Sequence, residues 1–252
     1  MEKNEYLSDI PPRNLYYMLT YVTGFPNQIH KIEIAKNYDG DFINLLSKVI
    51  IQKLDTQIKR SASDNYLKDL IENDDMQTKI IDFEVIQQSK DINPHFSYMN
   101  DFLTYDNIYN QIIKRTINLL INYKNLKDEY EWALVKIYNH LREVSYVKID
   151  NEAIFDGLIM HKYNKSYEYV LKLCEFIWCE LNISEAYGKS NFLDLEESPE
   201  KLKEFIQTFI KVFYREESFK NLKPELVVDI STIDFTKDWD NVHFQLANII
   251  ER

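Results

Sequence analysis

Three carboxylates fall close together in the stretch DFTKDWD: Asp234, Asp238 and Asp240. Acids so spaced can hold a hard divalent cation through their oxygens. They equally suit the start of a helix, where an Asp side chain accepts from free backbone N–H groups, and we prefer that reading. A second fragment with chemical content is ISEAYGKS, whose Gly188-Lys189-Ser190 matches the tail of a phosphate-binding loop. Such a loop needs another glycine five residues before Gly188. Ile183 stands there, and no strand pattern precedes it, so the fragment reads as a polar turn between two elements. The histidines, His30, His95, His140, His161 and His243, include no pair at helical spacing. No His-Glu-x-x-His or Cys/His zinc pattern can be written, nor any Gly-x-Ser-x-Gly nucleophile elbow. Cys174 and Cys179 fall on different sides of a helical stretch and read as small buried apolar residues, not a disulfide or a shared metal site. No metal or cofactor is expected.

The chain that must position these residues has 252 of them, 45% apolar and 28% charged. That is a globular composition with room for one large domain or two small ones. Only 4 glycines occur, which leaves little material for glycine-lined phosphate loops or a many-turned β-sandwich. The net charge of −11 argues against a large nucleic-acid footprint, since binding to phosphate backbones rests on Lys and Arg. If the protein acts on DNA, a partner does most of the holding. No apolar run approaches the ~20 residues of a membrane-spanning helix, and the opening MEKNEYLSDI lacks a signal-peptide core. A cytoplasmic protein with no membrane association is expected.

Helical periodicity dominates. A first helix starts after Pro11-Pro12 and stops at Gly24, with Leu15, Met18, Leu19 and Val22 as its inward stripe and Tyr16, Tyr17 and Tyr21 beside it. Asp41 caps a second, with Phe42, Leu45, Leu46, Val49, Ile50 and Leu54 on one face. TKIIDFEVIQQ is rich in strand formers and predicts one or two strands, and DINPHFSYMNDF a loop with a short strand. Helical spacing returns at Thr104 or Asp106, where Ile108, Ile112, Ile113, Leu119 and Leu120 share a face. DEYEWALVKIYNHLREV follows after a short link and should form a helical hairpin with it. SYVKID and LVVDISTI are further strand candidates. Residues 166–182 form a helix with Tyr169, Val170, Leu173 and Ile177 at core spacing. Ser198-Pro199 opens the last long one, with Leu202, Phe205, Ile206, Phe209, Ile210 and Phe213 buried. The expected fold class is α+β, helix-dominated, with a small antiparallel sheet or hairpin inserted among the helices.

The opening IPPRNLYYMLTYVTGF carries a more specific signal. Ile10 to Tyr21 closely resembles the start of the McrC family, the partner subunits of McrBC modified-cytosine restriction systems, where Ile-Pro-x-Arg-Asn-x-Tyr-Tyr-Met-Leu-x-Tyr is typical. SYMNDFLTYDNIYNQIIKRTINLLINYKNL, SYEYVLKLCEFI and NFLDLEESPEKLKEFIQTFIKVFYREE resemble later blocks of that family in the same order. The resemblance spans about residues 8 to 220, by pattern and order more than by identity beyond the first motif. It divides the chain into a McrC-like partner-binding region, 1–220, and a short C-terminal segment, 221–252, remnant of or link to a nuclease domain.

Two features depart from the family. The glycine of its hairpin near DDMQTKIIDFEV is missing. The family's C-terminal nuclease needs an acid followed two residues later by Lys so that Mg²⁺ and an activated water meet the phosphate, and no Asp or Glu here has Lys at that position. The chain also stops about where that domain would begin.

The resemblance therefore implies a non-catalytic subunit that binds and stimulates an McrB-like AAA+ GTPase ring in an anti-phage system, meeting DNA only through the complex. The alternatives are a DNA-cleaving subunit whose nuclease domain is truncated or supplied by another chain, and a decoy that inhibits a McrBC complex. The motif residues Arg13, Asn14, Tyr16, Tyr17 and Tyr21 are the partner-binding candidates. Arg13 offers a fork of donors to a partner's carboxylates. Arg13 and Asn14 equally suit capping within the domain, and the tyrosines suit the core.

Overall fold

A computed structural model describes residues 10–35, 38–61, 106–149, 152–160, 165–186, 189–193, 198–216 and 233–248. In chain order these form α1 (Pro12–Val22), a 3-10 segment (Pro26–Lys31), α2 (Phe42–Ser61), α3 (Ile108–Ile121), α4 (Asp128–His140) and the single turn α5 (Ala153–Asp156). Then come α6 (Lys165–Cys179), the strands β1 (Asn182–Ala186) and β2 (Lys189–Leu193), α7 (Pro199–Glu216) and α8 (Trp239–Asn248). The chain divides into two compact units, and the division falls inside α2. One comprises Met1–Val49, Tyr123–Lys127 and Glu180–Arg252, the other Ile50–Asn122 and Asp128–Cys179.

In the first unit α1 begins at Pro12, whose missing N–H costs nothing in the first turn. It ends in a Schellman arrangement: Phe25 N donates to Thr20 O at 2.7 Å, Gly24 N to Tyr21 O at 2.9 Å, and Gly24 takes φ +79°. α1 packs on α7 and on the 3-10 segment. Of the expected stripes, Leu15, Met18 and Leu19 on α1 and Leu202, Phe205, Ile206, Phe209, Ile210 and Phe213 on α7 are buried, while Val22 at the end of α1 is half-buried. Tyr16, Tyr17 and Tyr21 are buried as well, so α1 is enclosed on nearly every side. An aromatic cluster joins three helices: Tyr21 lies 5.6 Å from Phe209 and 5.2 Å from Phe213, and Phe209 lies 5.9 Å from Trp239. α8 is held by the same cluster and by Tyr214 Oη, which donates to Leu246 O at 2.7 Å. At the start of α2, Asp41 accepts from Asn44 N at 2.8 Å, as its sequence predicts for a cap.

In the second unit α3 packs against α4 and α6. Asn107 caps α3 by accepting from Asn110 N at 2.9 Å. Buried Lys114 is satisfied by the carbonyls of Arg142 at 3.1 Å and Val144 at 2.5 Å. The Arg115 guanidinium lies 5.1 Å from the Tyr146 ring and 5.0 Å from that of Trp178. Tyr169, Val170, Leu173 and Ile177 of α6 are buried as the spacing predicts. Cys174 is buried and Cys179 half-buried, and neither forms a disulfide.

The α+β expectation is corrected: the described residues are helical apart from one two-stranded ribbon, and no strand forms at the described positions where one was foreseen. SYVKID forms no strand over its described residues 145–149. Side chains tie down its start instead. Ser145 N donates to Asp106 Oδ1 at 2.9 Å, the Ser145 hydroxyl to Asp106 Oδ2, and Val144 O accepts from Lys114. The strand candidates TKIIDFEVIQQ and the one in DINPHFSYMNDF lie outside the described residues, as does LVVDISTI except Ile233. What β-structure the described residues hold is the ribbon β1–β2, paired from Asn182↔Leu193 to Ala186↔Lys189, in a stretch expected to be a polar turn. Two strands form a ribbon and not a layer of the fold.

Candidate functional site

The family-like motif on α1 separates into two groups. Asn14, Tyr16 and Tyr21 face inward. Asn14 is buried, and its Nδ2 donates to the carbonyls of Phe235 and Lys237, each at 2.7 Å. Tyr16 is fully buried 5.9 Å from Tyr17, and Tyr21 belongs to the aromatic cluster with Phe209 and Phe213. These three hold the unit together. Arg13 and Tyr17 instead line an open cleft of about 270 Å³.

The buried part of the cleft lining is apolar: Tyr17, Ile32, Ile34 and Trp239, with Tyr17 and Trp239 edge to face at 5.1 Å. Half-buried Ile29 adds to it. The exposed lining is charged or polar: His30, Glu33, Asp238 and Asp240. Local structure explains the arrangement. In HKIEIA the alternation buries Ile32 and Ile34 and leaves Glu33 outside, and in DWD the first turn of α8 buries Trp239 between two exposed acids.

Half-buried Arg13 is held at one end only. Its Nε donates to Tyr17 Oη at 2.6 Å, and the guanidinium carbon sits 5.1 Å from the Tyr17 ring centre. Nη1 and Nη2 have no partner among the described residues. Glu33 and Asp240 likewise have neither an ion pair nor a side-chain hydrogen bond there. The cleft thus holds a guanidinium and carboxylates that do not neutralise one another.

The acid trio is divided by its own bonds. Asp238 caps α8, accepting from Asn241 N and Nδ2, both at 3.1 Å. This is the helix-start role expected from the sequence. Asp234 accepts from the Thr236 hydroxyl at 2.6 Å and from Thr236 N at 3.1 Å, and Thr236 holds its carboxyl below the ordinary aspartate value. Only Asp238 and Asp240 reach the cleft. Among the described residues no three His, Cys, Asp or Glu side chains gather as metal ligands do. Lys189 and Ser190 of the phosphate-loop fragment open β2, opposite Ala186 and Glu185.

His30, Glu33, Trp239 and the three isoleucines carried no motif, and sequence reasoning missed them as site residues. The legible signal was the alternation in HKIEIA and the lone Trp between acids in DWD.

These observations define a class: a helical protein presenting a charged, aromatic-walled cleft beside its N-terminal helix. The family model for the McrBC 5-methylcytosine restriction system component matches residues 2–217, and the chain belongs to that family. It is 24% identical over 217 residues to the type IV methyl-directed restriction enzyme EcoKMcrBC of Escherichia coli K12, a match covering 82% of this chain. The match spans 60% of the length of that relative.

Proposed function

We propose that this chain is the docking and regulatory subunit of its restriction system: it binds an McrB-like AAA+ GTPase oligomer, raises its hydrolysis rate, and cuts no DNA by itself. The observation that carries this reading is the family match over residues 2–217, nearly the whole span of helices described above. Three further features support it. The motif that opens the chain builds the wall of an open cleft, with Arg13 held by Tyr17 and its outer nitrogens unpaired among the described residues. No acid in the sequence has Lys two residues on, the spacing a nuclease of the family's type uses to hold Mg²⁺ and activate water. The net charge of −11 suits a chain that meets DNA through its partner. Among the described residues no helix is long and apolar enough to cross a membrane, and we place the complex in the cytoplasm.

The test is reconstitution. The purified chain should co-elute with its cognate GTPase and increase GTP hydrolysis, while the chain alone with Mg²⁺ leaves duplex DNA intact. An unchanged hydrolysis rate together with separate elution would remove the docking role. Mg²⁺-dependent cleavage by the isolated chain would overturn the non-cutting one.

A further inference from the structure

We propose that the cleft between Arg13 and Asp240 is a socket for a lysine or arginine side chain on a basic segment of the partner protein. This rests on the docking role above and adds the chemistry by which docking occurs. Volume is the first ground. About 270 Å³ of open space leaves room for one long side chain. Charge is the second. Arg13 and exposed His30 share the lining with three carboxylates, and with Asp238 occupied by its helix cap, Glu33 and Asp240 stand unpaired among the described residues. A cationic side chain entering here gains two acids, and its apolar stem meets the wall formed by Tyr17 and Trp239. The same acids repel phosphate, which separates this cleft from a nucleic-acid site.

Arg13 has a distinct part. Its Nε is taken by Tyr17, so the outer nitrogens remain to donate to a backbone carbonyl or an acid of the same incoming segment. Phe244 extends the surface. It is 65% exposed and lies one helical turn beyond Asp240 on α8, giving the segment an apolar contact beside its charged one.

The experiment measures the affinity of the full chain for its cognate GTPase at fixed ionic strength. The double variant Glu33→Lys/Asp240→Lys should bind about tenfold more weakly or worse. The neutral pair Glu33→Gln/Asp240→Asn should fall between it and the unaltered chain. Glu129→Lys/Asp156→Lys changes net charge equally at exposed sites elsewhere and should bind as the unaltered chain does. The substituted acids are exposed, and each Lys pair puts a cation into a first helical turn, so the cleft and control variants should unfold at closely similar temperatures. If the unaltered chain binds and the cleft double variant binds within about twofold of it, the socket is wrong while docking stands. If the unaltered chain does not bind, docking fails and the socket with it. Retention of duplex DNA by the unaltered chain, abolished by Arg13→Ala, would make the cleft a phosphate site and also overturn the assignment.

Discussion

Asn14 and Arg13 are neighbours with opposite duties, and substitution should separate them. Asn14→Ala leaves two carbonyls, one of them on buried Phe235, without their donor. It should cost about 1–3 kcal/mol in urea unfolding. Arg13→Ala removes a half-buried side chain that, among the described residues, bonds only to Tyr17, and should change stability little while weakening partner binding. The Arg-Asn-x-Tyr-Tyr run marked the right helix but not which residue serves which end. A buried side chain and a cleft-lining one look alike until the carbonyls of Phe235 and Lys237 are brought to Asn14 from the far end of the chain. Titration supplies a second prediction. Asp106 is held below the ordinary aspartate value, first by the Ser145 hydroxyl and then by Gln111. A depressed folded value means the contribution is complete above the unfolded value of about 3.9 and is lost as pH falls through the folded one. Stability plotted against pH should therefore decline on the acid side, and Asp106→Asn should flatten that limb. Burial pushes the Cys174 thiol up to about 12. At neutral pH a maleimide should reach half-buried Cys179 first and Cys174 only on unfolding.

Among elements, the helices were legible because their buried faces repeat at helical spacing and their ends carry local chemistry. Phe42, Leu45, Leu46, Val49, Ile50 and Leu54 on α2 are all buried, and Asp41 and Pro12 stand where caps and first turns want them. The β content was not legible, for a reason specific to each stretch. SYVKID has strand composition, but Asp106 takes the Ser145 N–H at its start, and its described residues 145–149 form no ladder. The β1–β2 ribbon has too few strand formers in NISEA and KSNFL to stand out from turn composition. The join of α1 to the 3-10 segment depends on Gly24 at φ +79°, so Gly24→Ala should cost about 1–2 kcal/mol from backbone strain alone. Phe209→Ala removes the ring shared by Tyr21, Phe213 and Trp239. It should cost about 3–5 kcal/mol, and thermal unfolding of the two variants measures both.

For the molecule as a whole, the acid excess of −11 makes ionic strength a control on association. Docking through an acidic cleft should weaken as salt rises and the Debye length shrinks from about 10 Å at 0.1 M to about 3 Å at 1 M. Titrating the complex at two salt concentrations reads this directly. The bonds from Asn14 also bear on how the protein is made. They reach carbonyls 221 and 223 positions further along the chain, and Trp239 covers Tyr17 from the same late region. During translation the first helix therefore leaves the ribosome long before its cover is synthesised. Until then its tyrosines stay accessible to chaperones and to other nascent chains. The motif is sealed only once a segment 221 positions further along has been made.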